Sequence, residues 1–514
     1  MSSDKTKKLQ ITEKSGAKDV ICAAVSVFLC LIFVFVFAKY FAADTADVAY
    51  PLEGPVSGYN PYVQQYDALK KGQLKLDVEP DPRLAELENP YDPSERTKAK
   101  VSYIWDRAYY NGNYYSNFGI APVLTVYAPY HLLTGKLPGT GTVMVIFLLI
   151  AAVFMPLTVT AWAEKFSPGI PRPLRALAAV GVFHCSLIAL IARGRTPFYY
   201  LAAVAANAFI SVFFYLCIAA YSSEKKAARY VLYALAGVFY GLAFTSRIPV
   251  ALIAAFLVIP GLWFFIIRRE REGKKLIPII SELASIGIPV VIFFIGSMIL
   301  NAARFSGPLD FGHSWQLTVT DNRTLELRLS DLPYALYHYF LDMPAKSETY
   351  PYVSFSYAKF ASYGHYQYRD AGFGLFAIPM TLSLLASPAV IFSRKFTPRR
   401  RVFTAAAVAG LVFVALEDFC MGGIIYRYTA DLTLVGAIFS VIILFSCCER
   451  IRDVFAEKSR IPRYIAYSLT GIIIAVSVYA ALRLFLINGN GNVMEYSEEV
   501  AKVLPKILPF PGGK

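Results

Sequence analysis

Long apolar runs alternate with short polar links along most of this chain. Each run is roughly 18 to 25 residues, the length a helix rising ~1.5 Å per residue needs to cross about 30 Å of hydrocarbon. In order they are Val20–Ala43, Val143–Trp162, Leu174–Ala192, Phe198–Ala220, Tyr230–Ser246, Pro249–Ile267, Pro278–Leu300, Gly372–Phe392, Val402–Phe419, Gly423–Phe445 and Tyr464–Ile487. The pattern predicts an all-α polytopic membrane protein with about eleven transmembrane helices. Phe118–Leu133 is also apolar, but Pro122 and Pro129 interrupt it. It reads as one or two short helices lying at the interface rather than as a further span.

The polar links carry the orientation. Residues 1–19 form a lysine-bearing tail, expected in the cytoplasm, before a retained first helix at 20–43. With eleven crossings the inner links hold Lys165, Arg172 and Arg175; Lys225, Lys226 and Arg229; and Arg268, Arg269, Arg271, Lys274 and Lys275. They also hold Arg394, Lys395, Arg399, Arg400 and Arg401, then Arg450, Arg452, Lys458, Arg460 and Arg463. Every inner link is basic, and one missed span would invert all links after it, so charge supports both count and direction. Residues 44–141 become a first outer loop, 142–300 helices two to seven, 301–371 a second outer loop, and 372–487 helices eight to eleven. Residues 488–514 form an outer C-terminal tail.

Composition agrees with a membrane as solvent. The 514 residues are 56% hydrophobic and 17% charged. The net charge of +14 sits in the links, where it orients helices, and does not point to nucleic acid. All seven cysteines lie in or beside apolar runs, without disulfide or metal-ligand spacing. His184, mid-span, reads as a hydrogen bond between helices. No cofactor is called for, and no internal repeat of transporter type is evident.

Four arginines fall at the outer mouth, against the positive-inside tendency: Arg193 and Arg195 in "RGRTP", Arg247 in "TSRIP" and Arg427 in "YRYTAD". A guanidinium presents a planar fork of donors to phosphate, so a carrier-lipid headgroup is a fitting partner. The competing roles are snorkelling and pairing with loop carboxylates. Glu417 and Asp418 are expected to pair with Arg427. Among first-loop acids, Asp67 on a short helix and Asp106 in "YIWDRAYYNGNYYSNFG" are candidate general bases, since a hydroxyl acceptor must lose its proton. The aromatic clusters Tyr103–Tyr115 and Tyr334–Tyr368 suit sugar faces or an interfacial belt.

The stretches "YDALKKGQLKLD", "NPYDP", "WDRAYYNGNYYSNFG", "APVLTVYAPYHLLTG", "GLAFTSRIPV", "RFSGPLDFGHSWQLTVTD" and "RYTADL" occur in that order. In this order of parts the chain resembles the GT-C superfamily of integral-membrane glycosyltransferases, near the family 39-like bacterial enzymes that include protein mannosyltransferases and the lipid A aminoarabinose transferase. The resemblance implies an inverting transfer of sugar from a polyprenyl-phosphate carrier to a cell-envelope glycan, lipid or protein at the outer face of the cell membrane. It implies an acid in the first outer loop as base, and Arg193, Arg195, Arg247 and Arg427, with Tyr428, as phosphate ligands. Where such enzymes place an Asp, this chain reads Gly58-Tyr59-Asn60-Pro61, leaving Asp47, Asp67 and Asp106 as the candidate bases. A lipid-linked sugar flippase and a non-catalytic partner of an envelope enzyme are the alternative expectations.

Overall fold

The computed structural model describes residues 2–42, 60–195, 197–268, 276–356, 372–455, 459–489 and 493–511, with side chains from Gly16 onward. Its main helices, shorter ones aside, are α1 (Ser2–Tyr40), α2 (Pro61–Lys70), α3 (Thr140–Phe166), α4 (Arg172–Cys185), α5 (Phe198–Ser222), α6 (Lys226–Phe244), α7 (Ile248–Gly261), α8 (Leu276–Arg304), α9 (Pro398–Gly422), α10 (Tyr426–Phe455), α11 (Ile461–Phe485) and α12 (Glu498–Ile507). A short hairpin, β1 (Ala108–Tyr110) and β2 (Asn113–Tyr115), lies in the first loop.

Ten helices among the described residues are long and apolar enough to cross a membrane. The chain is a polytopic, multi-pass helical membrane protein. Helices α4, α7, α9 and α11 open with a proline in the first turn, where its missing N–H has no intrahelical partner to lose. Burial sorts the bundle. The apolar windows of α5 and α10 are 83% buried, whereas that of α8 is 6% buried. Thus α5 and α10 form the axis, and α8 presents Ile288, Ile292, Ile295 and Ile299 outward.

The expected eighth span, Gly372–Phe392, is built differently. It is 3₁₀-helical over Leu375–Ala377 and Pro379–Ala386 and becomes α-helical only over Ser387–Phe392. It nevertheless crosses the bundle. Its start lies at the first turn of α10, where Thr429 Oγ1 donates to the Phe373 carbonyl. Its end meets the first turn of α9, where Arg401 donates to the Ile391 carbonyl at 2.7 Å. A 3₁₀-helix rises ~2 Å per residue against ~1.5 Å for an α-helix, so fewer residues cover the thickness. Buried backbone then needs help, and Ser477 Oγ accepts from the Met380 N–H at 2.8 Å.

Two rims result. At the basic rim, Asp19 of α1 pairs with Arg172 of α4 at 2.5 Å, and Arg400 of α9 donates to the Phe166 carbonyl ending α3 at 2.8 Å. At the other, the loop rim, both long loops gather. Within Phe118–Leu133 the chain is helical from Ala121 onward, with Val123 and Tyr127 buried and Leu132 and Leu133 exposed, in keeping with an interfacial helix. His184 packs edge-on against Phe33, with ring centroids 4.7 Å apart. The helix-to-helix hydrogen bond expected of it is replaced by this aromatic contact among the described residues.

Candidate active site at the loop rim

The first loop is fixed by its own cap and turn. Asn60 caps α2, its side-chain oxygen accepting from the Tyr62 and Val63 N–H groups, while its amide donates to Thr140 Oγ1 at 2.9 Å. Where the resemblance expects an acid, this chain places a helix cap. Further on, Asn111 and Gly112 take φ of 47° and 72°, left-handed values that suit a two-residue hairpin turn. They return β2 onto β1 with Tyr109 opposite Tyr114.

The hairpin is stitched to the second loop. The Asp106 N–H donates to the Leu317 carbonyl at 3.0 Å, and the Leu317 N–H donates to the Arg107 carbonyl at 3.0 Å. Asp106 itself has φ of 55°, a left-handed backbone that costs a non-glycine residue on the order of 1–3 kcal/mol and is held only by its surroundings. The loop also docks on the α6–α7 corner. A Cβ at Gly119 would stand 2.2 Å from the Ser246 carbonyl, so only glycine permits that approach.

Asp106 is half-buried and lies within electrostatic reach of Tyr199, Arg107, Arg427 and His313. Arg107 is buried and donates Nε to Gln64 Oε1 of α2 at 2.9 Å. Its guanidinium lies 5.6 Å from the Phe118 ring. Burial pushes its pKa down to about 10, so it stays charged at neutral pH. Desolvation holds the His313 imidazole below its usual range despite the nearby Asp106.

The α9–α10 corner supplies the other half. Gly423 ends α9 with φ of 80°, which lets Asp418 in the last turn of α9 face Asp431 in α10. Both converge on Arg247, which caps α7. Its Nε and Nη2 donate to the two Asp431 oxygens at 2.6 and 2.5 Å, and Asp418 stands 3.6 Å away. The expected pairing of Asp418 with Arg427 is therefore replaced by one with Arg247, because the corner turns the carboxylate toward the α7 N-terminus.

Arg427 is held by rings instead. It lies 5.0 Å from the Tyr199 ring, 5.9 Å from Tyr200 and 5.2 Å from Tyr428. Its Nη2 donates to the Tyr428 hydroxyl at 3.4 Å. Among the described residues no carboxylate comes within ion-pair distance of it. The Tyr428 ring also lies 4.8 Å from the Arg247 guanidinium, so it spaces the neutralised arginine from the uncompensated one.

Other sequence candidates stand apart. Asp67 is buried in α2 and paired with Lys71 at 2.8 Å, which also bridges Asp77. Arg193 is buried, donating to the carbonyls of Phe485, Ile487 and Met494 and packed against Phe41, Phe485 and Tyr496. It clasps the end of α11 and the C-terminal tail, so its fork of donors is spent on backbone rather than turned to the mouth. Arg195 is exposed on the same rim. Asp47 and part of the Tyr334–Tyr368 cluster lie outside the described residues.

Sequence reading missed Arg107, Tyr199, His313 and Asp431. Asp431 carried a signal: an acid one turn after Arg427 in an otherwise apolar span needs a partner. No family model matches the chain, and no curated protein matches it either. Among solved structures, the archaeal oligosaccharyltransferase AglB from Archaeoglobus fulgidus, solved in complex with an inhibitory peptide and a dolichol-phosphate, is similar with a TM-score of 0.40 and 12% identity. The match covers 96% of this chain and 58% of that one, so the chain spans just over half the length of that protein.

Proposed function

We propose that this chain is a GT-C-type inverting glycosyltransferase that moves a sugar from a polyprenyl-phosphate carrier to a cell-envelope acceptor, with the loop rim facing outward. One observation carries the reading. A half-buried carboxylate on strained backbone, Asp106, and an arginine with no carboxylate partner among the described residues, Arg427, meet across Tyr199 at the loop rim.

In the reaction the acceptor hydroxyl gives its proton to the Asp106 carboxylate as its oxygen bonds to the anomeric carbon. The bond from that carbon to the phosphate oxygen breaks, and the electron pair leaves with the lipid phosphate. Arg427 holds this phosphate, aided by the Tyr428 hydroxyl, and stabilises the charge it gains. Arg107 and the stitched hairpin keep Asp106 placed. Arg247, already neutralised by Asp431, positions the corner that presents Arg427 rather than binding the donor. The basic rim then faces the cytoplasm, with the N-terminus there and the C-terminus outside.

The test is acceptor-dependent release of free undecaprenyl phosphate by the purified chain, given undecaprenyl-phosphate hexoses or aminopentoses as donor and extracted envelope lipids and glycans as the source of the acceptor hydroxyl. Asp106→Asn is expected to lower turnover by about 100-fold or more, the scale of general-base catalysis. Asp67→Asn is expected to keep turnover within about 10-fold, since its carboxylate already serves Lys71. Full activity of Asp106→Asn, with loss in Asp47→Asn, would move the base to Asp47.

A further inference from the structure

A second feature lies at the opposite end of the bundle. Helix α5 runs from Phe198 at the loop rim to Ser222, about 37 Å at helical rise. Near its far end a cavity of about 130 Å³ opens between α3, α5, α7, α9 and α10, with Trp162, Phe214, Leu257, Phe265, Phe403 and Ile442 in its wall. That volume is close to one known to admit a benzene-sized guest, so it takes a segment of hydrocarbon chain rather than water. Arg399 and Arg400 are the charged groups in its lining.

Among the described residues, positive charge predominates at this mouth. Arg400 is already engaged by Glu449 at 2.5 Å. Arg399 lies over the Phe166 ring, its guanidinium carbon 4.0 Å from the centroid, and hydrogen-bonds to the Tyr221 hydroxyl. Arg268 stands close enough to repel it and is stacked on Phe264 at 5.8 Å. Lys165 sits 5.5 Å from the Tyr221 ring. Among the described residues Arg399 and Arg268 have no carboxylate within ion-pair distance. Like charges gathered at a lipid-facing rim ask for an anion, and an apolar cavity beside them asks for a chain.

We infer that this end of the bundle is a binding site for one anionic glycerophospholipid of the adjacent leaflet. The phosphate lies between Arg399 and Arg268, and an acyl chain enters the cavity past Phe403. Its phosphate would sit across the membrane from Arg427, which separates it from the donor site. The charge pattern favours phosphatidylglycerol over a zwitterionic lipid, because the latter's ammonium would meet the arginine cluster.

Mass spectrometry of lipids retained by the chain purified in mild detergent tests this. About one anionic glycerophospholipid per chain is expected, and Arg399→Gln with Arg268→Gln should cut retention at least tenfold. Leu257→Trp, which fills the cavity and leaves the charges, should also lower it. Arg394→Gln, exposed on the same rim and outside the cavity lining, should not. Melting in nanodiscs guards against misfolding: phosphatidylglycerol should raise the wild-type Tm above its value in phosphatidylcholine, and the double variant should lose that difference. Equal retention in the double variant overturns the site, as does a polyprenyl lipid occupying it or no preference between the two phospholipids.

Discussion

Two arginines on either side of the Tyr428 ring divide the work at the loop rim. Arg247 and Arg427 look alike in sequence, each a cation expected at the outer mouth, and only their partners separate them. Asp431 has no side-chain exposure, so removing Arg247 would strand a charge in the bundle, a loss of roughly 3–5 kcal/mol. Arg247→Ala should therefore appear in thermal unfolding as a lower Tm. Arg427 gives up only ring contacts and one long hydrogen bond. Arg427→Ala should keep its Tm yet raise the donor KM about 10-fold or more, since hydrogen bonds to charged groups contribute roughly 1.5–3 kcal/mol. A fall in Tm for Arg427→Ala equal to that of Arg247→Ala would remove the distinction. The candidates were legible as residue types; their roles were not, because a partner nearly two hundred residues away decides them.

At the scale of elements, the bundle contains an ion pair that periodicity did not reveal. Arg229 in the first turn of α6 donates Nε to Glu282 of α8 at 2.5 Å, with side chains 5% and 0% exposed. The helices meet closely here: a Cβ at Gly237 would stand 2.3 Å from the Ile286 carbonyl. Arg229→Leu should lower the Tm sharply by leaving Glu282 buried alone, whereas Arg229→Leu with Glu282→Leu should recover most of the loss. If the double variant melts no higher than the single one, the pair is more than a compensated charge. Sequence reading assigned Arg229 to a basic link, and its position at a helix end agrees. The apolar runs were legible because a membrane-crossing helix needs an uninterrupted block of them. The hairpin was not read from them, although Asn111-Gly112 is a turn signal, because its strands are only three residues each.

For the whole molecule, sidedness rests on a crossing that is mostly 3₁₀ rather than α-helical. Charge alternation and the length of the apolar run both ask for a crossing at Gly372–Phe392, while its 3₁₀ geometry sets it apart from the long α-helices. Remove it, and α9, α10 and α11 would each reverse, carrying Arg427 away from Asp106. The contacts at its two ends forbid that reversal, since Thr429 holds its start at the loop rim and Arg401 its end at the basic rim. Single cysteines in a cysteine-free background make this measurable. Thr97→Cys in the first loop should react with a membrane-impermeant maleimide on intact cells, and Lys395→Cys only after permeabilisation. Both positions are exposed, so a difference in labelling would report the membrane and not burial. Labelling of both from the same side would mean that the segment does not cross in the bilayer, and the acid and the arginine would then face different compartments.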